Sequence, residues 1–452
     1  MQKSQKIDAT KGPLLRSLLL YAIPLILSTL VQCLFNSVDL IVLANMADSG
    51  AVASVGATST IIHLIVNAFI GISAGSKIIL ARYLGANEEE KIRSTVNTAL
   101  LSSILFGIAV AVFGIIFAPD ILRLSHCPDD CFDGAVLYIR IYIAAAPFVL
   151  FYNFGAAIIT AAGDTQRPFS YITAGGILNV FLNIILCLLL PQKVAAVAIA
   201  TAAAQILSAV LIGIRLCRIK SNVRVILSQV RWSFAAFWKI LRFGLPLFFS
   251  QILFPLANLQ MQTAINDFGV SAIAGNSAAT TLESMVGAFT NAFATTATVF
   301  IGQNLGAKNL PRAKKSFFHC LWLACAIGLI IGVFLNLTAR FWFSFMLADD
   351  PEAIEYAVIR LRFLLIYWAV GIDCVLMNTI QTLGGTLFSA LNSAVCVFVL
   401  RILWLKFIFP LYPTFFCITV CFMASWIVML FTNTAAFLYY NNRLRKGKLA
   451  DI

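Results

Sequence analysis

Three carboxylates stand inside long apolar runs of this 452-residue chain: Asp39, Glu283 and Asp373. A charge at bilayer depth costs at least about 2.5–3.5 kcal/mol on insertion scales, so each needs a wet cavity, a partner or a proton, and groups so placed bind cations or relay protons. Asp39 ends the stripe Ser28, Gln32, Asn36, Asp39, whose spacings of four, four and three keep the polar groups on one helical face. Gln251, Asn258, Gln262 and Asn266 repeat the pattern, Glu283 shares a run with Asn276, Thr280 and Thr290, and Asn179 and Asn183 lie four apart. A single amide in such a run is also an interhelical hydrogen-bonding group that needs no ligand, whereas Asp39 reads as functional. Arg401, read as the only basic residue near mid-span, is placed to neutralise a buried acid. His63 and His319 lack ligand-spaced partners and read as packing residues. Neither GxxxxGK[ST] nor HExxH occurs, which points away from ATP hydrolysis, a metal site and an enzyme. An ion gradient or the cargo's own gradient then has to supply the energy.

The elements holding these groups follow from composition. Apolar residues make up 61% of the chain and charged residues 11%, with a mean hydropathy of +0.92; soluble chains are about 45–50% apolar and about 25% charged. At roughly 20 residues per span the apolar content supplies about twelve spans and little else. Apolar runs and their breaks predict helices over 14–45, 51–82, 92–118, 134–161, 169–190, 194–217, 236–266, 271–300, 315–345, 354–382, 388–410 and 413–440, with kinks at Pro24, Pro147 and Pro246. Most of the 32 basic residues fall on one side of these spans, in the segments around Lys3 to Arg16, Arg82 to Arg93, Arg167, Arg215 to Arg242, Lys308 to Lys315, and Arg443 to Lys448. Acidic residues such as Asp129, Asp130, Glu352 and Glu355 fall on the other, which predicts an inner (plasma) membrane protein with both termini cytoplasmic. The net charge of +13 therefore reports topology rather than nucleic-acid binding. The polar, basic start of the chain predicts an uncleaved first helix. Nine of the 11 cysteines sit in apolar runs; Cys127 and Cys131 lie in a polar loop where free thiols and a disulfide are both open.

The chain repeats itself. Pro24, Ser28 and Asn36 are matched by Pro246, Ser250 and Asn258 at an offset of 222, and Leu84-Gly-Ala-Asn87 answers Leu305-Gly-Ala-Lys308 at 221. Ala162-Gly-Asp-Thr165 answers Leu383-Gly-Gly-Thr386 at the same offset. The halves are predicted as six-helix bundles over 1–217 and 236–452, joined by a basic cytoplasmic linker over 218–235. An even number of spans per half makes the repeat parallel, and two such bundles around a central cavity form a transporter architecture. The fold class is therefore an all-α integral membrane protein of twelve helices in two pseudo-symmetric bundles.

These motifs, in this order, resemble the multidrug and toxic compound extrusion (MATE) transporters over essentially the whole chain. The resemblance rests on Ile23-Pro24 with Ser37-Val-Asp39, Tyr83-Leu-Gly-Ala-Asn87, Ala162-Gly-Asp-Thr165 with Pro168, Leu178 to Asn183, Phe243-Gly-Leu-Pro246, and Ile301 to Ala307. It implies a monomeric antiporter that admits Na+ or H+ and expels cationic or amphipathic small molecules, with membrane lipid as surroundings and no cofactor beyond the coupling ion. Asp39 matches the family's span-one acid, and with Asn36, Asn179 and Asn183 it is expected to hold the coupling cation. Asn183 stands where the family carries an acid, and Leu253 lies near the place of a span-seven Glu found in some members. Glu283 resembles a span-eight acid of some Gram-positive members and Asp373 lies near a span-ten acid of others; with Gln32, Gln251 and Asn258 they are expected to line the substrate cavity. The alternative within the same superfamily is a flippase for lipid-linked or polysaccharide intermediates, which should line its cavity with cations. A membrane enzyme lacks its motif here, and a channel lacks a ring of selectivity groups.

Overall fold

A computed structural model describes residues 7–46, 49–125, 127–347 and 350–446, without the side chains of 36–41, 43–45, 49, 50 and 52. Among the described residues every regular element is helical. The spans are α1 (Leu14–Met46), α2 (Ser49–Ala86), α3 (Glu89–Leu124), α4a (Asp129–Ala144) with α4b (Ala146–Ala161), α5 (Gln166–Leu189) and α6 (Lys193–Arg218). The second half runs α7 (Phe234–Asn266), α8 (Val270–Gly306), α9 (Leu310–Leu337), α10 (Pro351–Thr382), α11 (Thr386–Leu411) and α12 (Phe415–Arg445). Among the described residues eleven helices are long and apolar enough to cross a bilayer, and the bent pair α4a and α4b, taken as one span, makes a twelfth.

The bend of 47° in α4 falls at Ala145, two residues before Pro147, whose missing N–H and ring prevent an unbroken helix. The place matched by the repeat in α10 is a tighter 3₁₀ stretch, Arg362–Ile366, with no proline and no break. The span predicted over 315–345 is interrupted instead. It stops at Leu337, and Thr338 precedes a separate short helix, Ala339–Met346, with the Thr338 hydroxyl bonding Phe334 O at 2.8 Å and accepting from Trp342 Nε1 at 3.0 Å.

The two halves use the same packing plan. In the first, α2, α3 and α4 pack together, α4 lies on α6, and α6 on α5. In the second, α8, α9 and α10 pack together, α10 lies on α12, and α11 contacts α12. The turns repeat as well: Asn87 and Lys308 both take left-handed backbone with φ of 56° and 57°, and Gly163 and Gly384 with φ of 91° and 99°.

The compact units do not coincide with the bundle limits read from the sequence. Unit 1 comprises the chain to Asp8 and Leu27–Leu245, unit 2 Ala9–Ile26 and Pro246 onward, so the division falls inside α1 and α7. In unit 2, Asn304 Nδ2 and Arg312 Nε donate to Ala9 O at 3.0 and 2.9 Å, Arg312 also binds the carbonyls of Lys11 and Gly12, and Tyr21 meets Phe300 edge-on. In unit 1, the segment ahead of α7 is held by α3: Asn97 donates to Gln229 O at 3.3 Å, Arg93 to Gln229 Oε1 at 3.1 Å, and Thr98 Oγ1 accepts from Ser233 N. Gly75 and Gly244 then let α2 and α7 touch backbone to backbone, since a Cβ on Gly75 would lie 2.5 Å from Gly244 N. The basic stretch 218–235 is thus built into unit 1.

Candidate functional site

In unit 1 the amides on α5 are linked by hydrogen bonds. Asn183 Nδ2 donates to Asn179 Oδ1 at 3.2 Å and Asn179 Nδ2 to Thr201 Oγ1 of α6 at 3.3 Å, with Asn179 and Asn183 both buried. The four-residue spacing that put both amides on one face makes the first bond, and α6 supplies the second. Gln32 is exposed and bonds one turn back to Ser28 O at 3.0 Å. The side chains of Asn36 and Asp39 lie outside the described residues, although α1 carries their backbone.

Unit 2 holds the deep charges. Glu283 of α8 is bound through Oε2 to Arg360 Nη2 of α10 at 2.7 Å, with side-chain exposures of 20% and 4%. Arg360 was not part of the sequence reading, which had Arg401 as the only basic group near mid-span. Near the acidic end of its span Arg360 reads as an interfacial charge; only the packing of α10 on α8 carries it to Glu283, 77 residues earlier. The Arg360 and Arg401 guanidinium carbons lie 4.1 and 4.5 Å from the centroid of the same ring, Phe422 of α12. Arg401 donates to Asn258 Oδ1 of α7 at 2.7 Å and to Ser425 Oγ at 3.3 Å, so its direct partners are neutral. Two π-helical stretches, Ala394–Val399 and Trp404–Ile408, flank it in α11; such bulges rotate the faces of a helix and here bracket a fully buried cation.

Asp373 of α10 is wholly buried, and its Oδ1 accepts from Asn433 Nδ2 of α12 at 2.8 Å. Asn433 Oδ1 accepts in turn from Asn392 Nδ2 of α11 at 2.9 Å, and Asn392 Oδ1 from the Cys396 thiol at 3.3 Å. Asp373 Oδ2 has no hydrogen-bond partner in the protein. The four deep charges of unit 2 therefore sum to zero when Asp373 is ionised and to +1 when it is protonated. Gln251 is half-buried, and its side chain joins neither group. His63, expected to pack, is exposed, and Cys127 and Cys131 are free thiols 3.8 Å apart. Among the described residues no three His, Cys, Asp or Glu side chains gather as a metal site.

The spans that carry these residues fall within a protein family's pattern. The MatE family model matches residues 24–189 and 246–405. The probable multidrug resistance protein YoeA of Bacillus subtilis (strain 168) is 25% identical over 395 residues, 85% of this chain and 84% of its own length. The FAD transporter of Shewanella oneidensis is 23% identical over 357 residues, covering 76% of this chain and 77% of that one. A solved structure of a MOP superfamily transporter from Pyrococcus furiosus, described for the reverse polarity of its binding pocket, covers all of both chains with a TM-score of 0.88 at 20% identity. The chain belongs to the MatE family of multi-pass membrane transporters.

Proposed function

We propose that this transporter is a cation-coupled antiporter that admits Na+ or H+ and exports cationic or amphipathic small molecules by alternating access, from a plasma membrane in which both termini face the cytoplasm. The observation that carries the reading is Asp373: a wholly buried carboxylate with one oxygen bonded by an amide and the other without a partner in the protein. Burial makes the anion costly there, so a proton or a bound cation lowers that cost and its occupancy answers to an ion gradient. In unit 1, Asp39 with Asn36, Asn179 and Asn183 is the second coupling locus. Coupling requires that cargo and ion favour different states, and the one-unit change in charge at Asp373 supplies such a difference for a cationic cargo.

The name of YoeA favours a small-molecule drug as cargo. The flippase reading needs guanidiniums open to a pyrophosphate. Arg360 is held by Glu283, and Arg401 is 1% exposed and bonded to Asn258 and Ser425, so neither favours it.

The test is efflux of a fluorescent cation from proteoliposomes under an imposed Na+ or proton gradient, comparing wild type with Asp373→Asn and Asp39→Asn. Gradient-driven efflux that is lost in both variants, with folding intact, is the expected result and names the ion. Efflux that responds to neither gradient, or survives both substitutions, would overturn the proposal.

A further inference from the structure

At the end of unit 1 where α6 stops, a cavity of about 370 Å³ opens between the α4b–α5 turn and the chain that follows α6. Arg215, Arg218 and Lys220 line it against a single acid, Asp164. Arg215 Nη2 reaches Asp164 Oδ2 at 3.3 Å, and that carboxylate also accepts from Arg167 N at 3.1 Å. The Arg215 Nε is buried and bonded to nothing in the protein. Arg218 and Lys220 are exposed and form no ion pair among the described residues.

Cations in a last helical turn offset the helix dipole, and that role alone needs no ligand. It does not account for this set. The closing carbonyls of α6 are already occupied: Ile219 N donates to Arg215 O, Val225 N to Leu216 O at 3.0 Å and Arg224 Nε to Cys217 O at 3.1 Å. Lys220 stands beyond the helix altogether. The repeat supplies a comparison. A depression of about 130 Å³ in unit 2 shares two positions with it, Leu383 for Ala162 and Asn441 for Lys220, while the rest of its lining comes from α8, α9, α10 and α12 and includes Lys314 and Arg445 with no acid. The places matching Asp164, Arg215 and Arg218 in unit 2 are Gly385, Ala436 and Tyr439, so the repeated architecture does not itself require these charges.

We infer that the unit 1 cavity binds a phosphate group. A guanidinium with an unused N–H, a second guanidinium and an ammonium around one hollow match a tetrahedral anion with several acceptor oxygens. The phosphate of an anionic lipid headgroup and a soluble phosphate present the same chemistry. The end of a membrane span, at the side that gathers the basic segments, is within reach of both.

The experiment uses the purified full chain in detergent, with native mass spectrometry to count retained phosphatidylglycerol against phosphatidylcholine and thermal melting with inorganic phosphate against chloride at equal ionic strength. The variants are Arg218→Gln/Lys220→Gln, the charge-conserving Arg218→Lys/Lys220→Arg, and the control Arg231→Gln/Lys315→Gln, which removes two exposed cations elsewhere. The expected result is phosphate-group binding weakened about tenfold in the first variant and kept in the other two. Retention of phosphatidylglycerol that follows this pattern identifies the lipid as the source; a melting shift with inorganic phosphate alone identifies the soluble anion. Binding unchanged by the first variant, or lost equally in the control, would overturn the inference.

Discussion

The Glu283–Arg360 pair separates a structural charge from a substrate contact. At 2.7 Å between N and O, with charge centres about 4 Å apart and an effective dielectric near 20, the attraction is about 4 kcal/mol. Arg360 is 4% exposed, so Glu283→Gln would strand a guanidinium whose remaining support is the rings of Phe422 at 4.1 Å and Phe363 at 5.1 Å. Those ring contacts exist in wild type as well and offset none of the loss, which for breaking a buried pair is about 3–5 kcal/mol. The repeat shows how to remove both charges without a void: the positions matching Glu283 and Arg360 in the first half are Ile62 and Ile139, which share one apolar cluster. Glu283→Ile/Arg360→Ile should therefore be more stable than Glu283→Gln by about 2 kcal/mol. Thermal unfolding of the purified protein, with Glu283→Ile and Arg360→Ile completing a double-mutant cycle, measures this, and Glu283→Gln should melt about 2 °C below the double. Effects that add to within about 0.5 kcal/mol would refute the reasoning. If Glu283→Gln leaves melting unchanged while abolishing efflux, the acid serves the cargo rather than Arg360.

Gly107→Val should lower the melting temperature through about 1–3 kcal/mol of overpacking, because a Cβ there would collide with Pro147 Cα; an unchanged melt would contradict that contact. Lys308 holds φ of 57°, so Lys308→Gly should stabilise by about 1 kcal/mol in chemical denaturation, whereas Gly163→Ala should destabilise, its Cβ meeting Ile7 O. Asp350 caps the first turn of α10 by accepting from Ala353 N at 2.9 Å, and this bond, with a further one from the Ser271 hydroxyl, holds its carboxyl below the usual range. That contribution is present above the unfolded carboxyl's titration and lost as pH falls through the depressed value. The melting advantage of wild type over Asp350→Ala should accordingly shrink in acid, as a pH series of melting curves would show.

Local rules made the spans and turns legible. Runs of apolar residues placed the helices, most ends to within about four residues but with α3, α8 and α12 running five or six residues further, and Pro147 marked the bend in α4. The motif Leu-Gly-Ala with Asn87 in one half and Lys308 in the other pointed to equivalent turns, and both residues share the same left-handed backbone. Partners were not legible where sequence distance is long. Glu283 meets Arg360, and Asp373 meets Asn433 60 residues later, only because α8, α10 and α12 pack in a given rotation. The bundle limits escaped for a similar reason. Asn304 and Arg312 hold the start of the chain to unit 2, a contact that no periodicity encodes.

What the repeat copies and what it leaves single divide the labour of the chain. Packing partners and turn conformations occur twice. The charges do not. Ile139 and Tyr152 occupy the places of Arg360 and Asp373, Val180 that of Arg401, and Gly385 and Ala436 those of Asp164 and Arg215. A fold that closes with isoleucine at one copy of a position does not require arginine at the other, so stability alone does not explain Arg360 or Glu283. Each single charge carries a desolvation cost that its apolar counterpart avoids. Among the described residues the deep charges of unit 2 and the cationic cavity of unit 1 are thus places where the two halves of one architecture differ in charge while keeping the same packing.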